Sequence, residues 1–321
     1  MLKPAPDTSR PAVVSAGPLA QPAAMLAWTA PLLAMAGAIA FSGKAIIIKL
    51  AYRHGVDAVT LIMLRMAVAL PFFLAMVWWA GRSKPALSRR DLAAAAALGF
   101  SGYYLSSMLD FLGLQYISAS LERLILYLTP AVVVLLSWAL FGRRASGRQW
   151  TAMALGYGGL LLVFGHELQV SGSRVALGAV LVLASTLSYA GYLLYSGQVV
   201  QRIGASRLTG WASSVACGFC LAQFALLRPV SGLALLAPAV WWLSLLNGTV
   251  CTVLPVWLVM RAIELIGPAR TAQFGMVGPV STILLGVLIL GEPFTAWVAA
   301  GSLCVLGSVM VLGRSGGPVR R

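Results

Sequence analysis

The sequence is poor in charge. Only 10% of its 321 residues are Asp, Glu, Lys or Arg, and eight are acidic. Ordinary soluble domains carry about 25% charged residues. The hydrophobic fraction is 60% and the mean hydropathy +0.90, so too little polar surface is left to cover a soluble globule. The same arithmetic excludes a disordered chain. Histidine is nearly absent: His54 and His166 are the two, each expected in a solvated loop rather than as a ligand. The four cysteines, Cys217, Cys220, Cys251 and Cys304, sit inside apolar runs, which excludes a secreted disulfide scaffold. Cys217-x-x-Cys220 has the spacing of a redox or metal pair. A structural zinc site needs two more ligands, so the pair reads as small packing residues. There is no GxxxxGK[ST] loop and no Ser/His/Asp constellation. Neither a metal nor another cofactor is expected.

Long apolar runs are abundant. A membrane-spanning helix needs about 20 mainly apolar residues. Ten such spans are expected, at 26–51, 58–80, 92–114, 119–141, 150–165, 176–199, 208–227, 239–262, 268–290 and 294–313. The fifth is short and should extend past these ends. Residues 1–25, rich in Pro and Ala, read as a disordered cytoplasmic tail, and 314–321 as a basic one. Ala34-Met35-Ala36 resembles a signal-peptidase site, but only Lys3 and Arg10 precede a long apolar run, so the first span reads as uncleaved. A net charge of +15 on a soluble chain would suggest nucleic acid. Here the charges cluster between apolar runs, as orientation signals do, and the expected environment is the lipid bilayer with no nucleic-acid partner. With the N-terminus in the cytoplasm, sixteen of the 23 Lys and Arg fall in inner segments, and Arg53, Arg174 and Arg228 in outer ones. Lys44, Lys49, Arg65 and Arg123 lie within spans. The bias predicts a bacterial inner (plasma) membrane protein with both termini cytoplasmic.

The chain also matches itself at an offset of 148–149 residues. Phe41-Ser42-Gly43 falls on Tyr189-Ala190-Gly191, Gly55 and Thr60 on Gly204 and Thr209, Pro130 on Pro279, Gly142 on Gly291, and Gly159 and Gly165 on Gly307 and Gly313. Each match is weak alone; the nearly constant offset is the signal. It divides the chain into repeats at 26–166 and 175–313. Five spans per repeat make the second enter the membrane from the opposite side. Inverted repeats of this kind are typical of secondary transporters, with the binding site between them.

The repeat unit resembles the EamA-type half of the drug/metabolite transporter superfamily. The resemblance rests on Leu114-Gln115-Tyr116-Ile117-Ser118-Ala119-Ser120 followed by Thr129-Pro130, on Gly291-Glu292-Pro293, on the spacing from Phe41 to Lys49, and on Arg65 and Tyr192. It implies an all-α bundle of ten transmembrane helices, as two inverted five-helix repeats around a central cavity lined by helices 1, 3, 4, 6, 8 and 9. It also implies transport of small metabolites, often export. Lys44 stands where the family often has a small polar residue, and Glu122 and Arg123 where it usually has small apolar ones. Arg143 replaces the acidic residue that Glu292 retains in the second repeat.

Charges at membrane depth are rare and usually face a cavity or a partner. Lys44, Lys49, Arg65, Asp110, Glu122 and Arg123 all fall in the outer half of the first repeat; the second has Thr271, Ala272 and Tyr192 at counterpart positions. Four positive and two negative groups give a net positive vestibule, suited to a carboxylate or other anion. Asp110 is expected to pair with Lys44 or Arg123, and Glu122 with a remaining cation. Either carboxylate is a candidate proton carrier. Lys44 and Lys49 are roughly 140° apart around a helix. Lys44 shares a face with Gly37 and Ala40 and should face the cavity; Lys49 should snorkel to the surface. For Lys49 and Arg65 a role at the site and a purely structural one, anchoring and helix packing, read equally well. Tyr103 and Ser107 share a face of helix 3 with Asp110. Tyr189, Tyr192, Asn247 and Gln273 are further polar groups able to orient a small-molecule substrate. Asn247-Gly248-Thr249 matches a glycosylation acceptor but lies mid-span. Pro130 and Pro279 occupy matched positions, as hinges or as static packing. Gly156, Gly158 and Gly159 with Gly301 and Gly307 allow close helix contact, within one chain or in a homodimer.

Three readings follow. The leading one is gradient-driven or facilitative transport, by alternating access, of a small organic metabolite such as an amino acid or other carboxylate, with no enzymatic step. The others are a non-transporting membrane scaffold, which needs no buried charges, and a lipid-modifying membrane enzyme, for which no histidine stands at depth.

Overall fold

The computed structural model describes residues 23–82, 84–142 and 145–314, except the side chains of residues 23–28, 171, 260, 264, 267–270, 272–273 and 312–314. Most of the expected 1–25 tail, the basic tail beyond residue 314, Arg143 and the side chain of Gln273 lie outside this set. The described residues are helical between short turns. The helices are α1 (Ala23–Tyr52), α2 (Ala58–Gly81), α3 (Arg89–Gly99), α4 (Ser106–Gly113), α5 (Ala119–Tyr127), α6 (Thr129–Phe141), α7 (Gly147–Ser171), α8 (Arg174–Ile203), α9 (Ala205–Leu227), α10 (Pro238–Gly248), α11 (Leu254–Gly275), α12 (Val277–Leu285) and α13 (Ala296–Arg314). A π-helical turn, Phe100–Leu105, joins α3 to α4, and another, Thr249–Val253, joins α10 to α11.

Among the described residues six helical segments are long and apolar enough to cross a membrane, and seven if α5 and α6, bent by 40°, count as one span. The expected ten is not reached by that measure. Of the remainder, α7 is long but less apolar, and Val277–Leu290 and Ala296–Val311 are short. The fifth helix does extend past its expected ends. The expected break between spans eight and nine is absent: α11 runs helically through 263–267 to Gly275, and the chain breaks at Met276 instead. His166 lies in α7, not in a loop, stacked against Trp297.

The internal repeat is written in the backbone. Among the described residues five glycines have positive φ, and four form pairs at the repeat offset: Gly55 (76°) with Gly204 (88°), and Gly142 (63°) with Gly291 (72°). Left-handed backbone is readily available only to glycine, so these turns require it. Two of the three π turns among the described residues, Phe100–Leu105 and Thr249–Val253, are also offset by 149 residues, whereas the third, Gly286–Leu290, falls on α-helix in the first repeat. The α5/α6 break at Leu128 recurs at Met276. The packing obeys the same relation. α2 lies against α9 and α7 against α13, each helix meeting its own counterpart. α1 packs on α10, α11 and α12 of the second repeat, while α8 packs on α3, α4 and α6 of the first. This reciprocity is that of a pseudo-two-fold axis.

The bundle is apolar outside and polar at its centre. Trp79, Leu288 and Leu303 are each more than 70% exposed, whereas Lys44, Asp110, Glu122 and Arg123 are buried. In lipid, helices gain by close packing rather than by hiding apolar surface, so small residues set the contacts. The α7–α13 crossing shows this. A Cβ on Gly159 would stand 2.8 Å from the Gly301 carbonyl oxygen, and one on Gly301 would stand 2.6 Å from that of Gly159. The glycine contact at these positions is therefore within the chain. Gly301→Val should lower the thermal midpoint of the detergent-solubilised protein, at a cost of about 1–3 kcal/mol. Gly158→Ala, with nothing within 4 Å, should leave it unchanged. Equal midpoints for the two variants would refute this packing.

Candidate functional site

A cavity of about 510 Å³ opens at the centre of the bundle. α1 contributes Gly37, Phe41 and Lys44, whose spacing places them on one helical face. α4 contributes Ser106, Ser107 and Asp110, and α5 contributes Arg123. Tyr103 comes from the first π turn and Thr252 from the second. The inserted residue of a π turn rotates the side chains beyond it, and such turns recur at functional sites. α2 and α9 also line the cavity, through Arg65, Met66 and Phe73 and through Thr209 and Ser213. These are the second and seventh expected spans, so the implied set of spans 1, 3, 4, 6, 8 and 9 is incomplete.

The charges meet on one wall. Lys44 Nζ donates to Asp110 Oδ2 at 2.5 Å and lies 3.5 Å from Glu122 Oε1. Arg123 Nε is 3.8 Å from Glu122 Oε2. Glu122 is fully buried and behind the cavity surface, which Lys44, Asp110 and Arg123 reach. Its carboxylate oxygens accept no hydrogen bond among the described residues. Lys44 and Arg123 are its cationic partners, and isolating a buried carboxylate from its cations costs several kcal/mol. Phe41 projects its ring between the cations, 5.6 Å from Lys44 Nζ and 5.7 Å from Arg123 Cζ. Both distances permit cation–π attraction.

Arg65, read from sequence equally as a site residue and as an anchoring or packing one, stands on the cavity wall at 5% exposure. It donates to Ser107 Oγ at 3.2 Å, its Nη2 lies 3.9 Å from Met66 Sδ, and its guanidinium lies 4.8 Å from the Phe111 ring. Among the described residues it has no carboxylate within ion-pair distance, and its Nε has no partner.

Tyr103 and Tyr189 also line the cavity. Tyr192 lies behind them: its hydroxyl is 3.2 Å from that of Tyr103 and its ring stacks on Tyr189. The Tyr192 ring sits where a Cβ of residue 102 would be, which explains Gly102. Asn247 is fully buried away from the cavity, with both amide atoms unpartnered among the described residues. Pro130 follows the Leu128 bend and Pro279 follows the Met276 break.

Sequence reasoning passed over a second set of residues, at the end where α1 turns into α2. Lys49 does not snorkel; it donates to the Leu114 and Ile117 carbonyls at 3.3 and 2.7 Å. Glu292, in the α12–α13 turn, accepts from Ala119 N at 2.6 Å, Ser120 N at 3.2 Å and Ser120 Oγ at 2.8 Å. Glu167 accepts from the Ser118 hydroxyl and amide. A carboxylate at a helix N-terminus satisfies its free N–H groups and its dipole. These contacts fix the first turn of α5, and so place Glu122 and Arg123. They border an open recess of about 860 Å³, separated from the cavity by the charged wall. The signal was available in Gly291-Glu292-Pro293 and in the Ser118 to Ser120 segment, but their meeting across 172 residues was not.

The model of the EamA-like transporter family matches residues 28–165 and again 176–314. The chain belongs to the EamA-like transporter family. It is an integral membrane protein of a transporter family, built from two copies of the family's domain. It is 31% identical over 263 residues to YcbK, an uncharacterized transporter of Bacillus subtilis (strain 168), covering 80% of this chain and 83% of that one. A second uncharacterized transporter of that organism, YetK, is 24% identical over 283 residues, covering 87% of this chain and 85% of its own. A solved crystal structure, 17% identical, shares the fold with a TM-score of 0.59 over 88% of this chain and 95% of that one.

In this EamA-type chain, Glu292→Ala should lower the thermal midpoint by the equivalent of about 1–2 kcal/mol, the value of a good helix cap. Glu292→Gln, which keeps one acceptor oxygen, should lose less. A Glu292→Ala protein as stable as the parent would show that these contacts do not hold α5.

Proposed function

We propose that this protein is a secondary transporter of a small organic metabolite bearing a carboxylate, moving it across the inner membrane by alternating access. Export is the direction the family resemblance favours, and the Lys and Arg distribution favours cytoplasmic termini. The observation that carries the reading is Arg65. A buried guanidinium without a carboxylate is costly, and this one faces a cavity of metabolite size. An arginine presents a planar fork matched to a carboxylate. Lys44 and Arg123 reach the same cavity, each beside a carboxylate. Asp110 and Glu122 keep those two cations in place, and Ser107, Tyr103 and Tyr189 supply neutral polar contacts. The apolar stretch from Phe41 to Val259 receives the rest of the substrate.

Alternating access asks for two elements that bend together. The matched breaks at Leu128 and Met276 are the candidates, each next to a proline.

The test is flux and thermal stabilisation by the purified protein in liposomes, against organic acids, amino acids, amines and nucleosides. Carboxylates should bind and cross. Arg65→Gln and Arg123→Ala should each weaken binding by about tenfold or more while the protein stays folded, as loss of a charge-assisted hydrogen bond does. Binding of amines alone, or carboxylate binding indifferent to both variants, would overturn the reading.

A further inference from the structure

The charges on the cavity wall do not balance. Lys44 and Arg123 are matched by Asp110 and Glu122 at 2.5–3.8 Å. Arg65 is surplus among the described residues: it lines the same cavity, is 5% exposed, and its nearest polar contacts, Ser107 and Met66, are neutral. Lys49, Glu167 and Glu292 line the open recess and not this cavity. Counted with all five groups ionised, three cations and two carboxylates give the wall one positive charge.

This has a consequence for the transport cycle. To change the side on which it opens, the cavity must pass through a state closed to water on both sides. An uncompensated charge is costly there and inexpensive when the cavity is open to water. A ligand of single negative charge brings the closed site to neutrality. A zwitterion leaves it positive, and a dianion makes it negative. We propose that the cavity closes only around a bound organic anion of net charge −1, so that the protein exchanges one such anion for another across the membrane instead of carrying net flux. This rests on the carboxylate reading above and adds two things to it: the net charge of the substrate, and the condition under which the empty protein fails to reorient.

The experiment uses the full chain in liposomes. Binding is measured first, with lactate, pyruvate and glutamate as ligands of charge −1, alanine as a zwitterion and succinate as a dianion. The tightest-binding monoanion is then followed as a radiolabel into liposomes that are empty or preloaded with the same unlabelled anion. Uptake should be about tenfold or more faster into preloaded liposomes. It should be unaffected by a potassium–valinomycin potential, because a one-for-one exchange moves no net charge. Arg65→Lys should keep the dependence on preloading. Arg65→Gln, with a balanced wall, should bind monoanions more weakly relative to alanine.

Equal uptake into empty and preloaded liposomes, or alanine and succinate bound as tightly as the monoanions, would overturn the exchange proposal and leave the carboxylate reading intact. Failure of every carboxylate to bind would instead remove the reading beneath it. The comparison of empty with preloaded liposomes needs only the parent protein, so it decides the matter even if an Arg65 variant does not fold.

Discussion

The structure depends on one lysine shared by two carboxylates. Lys44 on α1 holds Asp110 on α4 at 2.5 Å and Glu122 on α5 at 3.5 Å. Each of the three groups would be costly alone at this depth. Together they join three helices at the point where the cavity ends and the open recess begins. Arg123 completes the neutral set and turns its guanidinium toward Phe41, whose carbonyl accepts from it at 3.4 Å. The arrangement determines what the cavity offers a ligand: two cations held in place by their own partners, and Arg65 beside them without one.

The two repeats share a scaffold but not a chemistry. The scaffold is symmetric where backbone geometry demands it, in the paired left-handed glycines, the paired π turns and the breaks at Leu128 and Met276. Among the described residues the charges that line the cavity belong to the first repeat alone. At counterpart positions the second has Thr271 and Tyr192, buried and neutral. A two-fold bundle with a one-sided charged wall can keep matched hinges while it grips an asymmetric ligand by one end. Cavity walls of this kind combine a broad apolar surface with a few convergent polar groups.

Much of the fold was legible because it is written in local rules. Apolar runs gave the helices, and a constant offset gave the repeat. The 100° turn per residue separated the face of Lys44 from that of Lys49. The rest depended on contacts between distant segments. Arg65 has no sequence neighbour that marks it as a cavity residue; only the bundle brings it to Ser107 and Phe111. Lys49 looked able to reach the surface, but the α4–α5 turn presents carbonyls within its reach. Asn247 looked like a mid-span polar contact and sits outside the cavity, because the π turn after it carries Thr252 to the wall instead. The helical path through 263–267 overrode the charge and small residues that read as a loop, since neither forbids helix. Phe41 was the most recoverable omission, standing three residues before Lys44 on the same face.

The central claim is that Lys44 and its carboxylates form one energetic unit. A double-mutant cycle with Lys44→Met, Asp110→Asn and the pair, read by reversible unfolding in detergent, tests it most directly. Lys44→Met alone leaves two buried carboxylates without their shared cation and should cost about 3–5 kcal/mol. Adding Asp110→Asn should recover part of that loss, giving a coupling energy of about 1 kcal/mol or more. Effects that simply add would mean that the groups do not sense one another, and the account of the charged wall would fail.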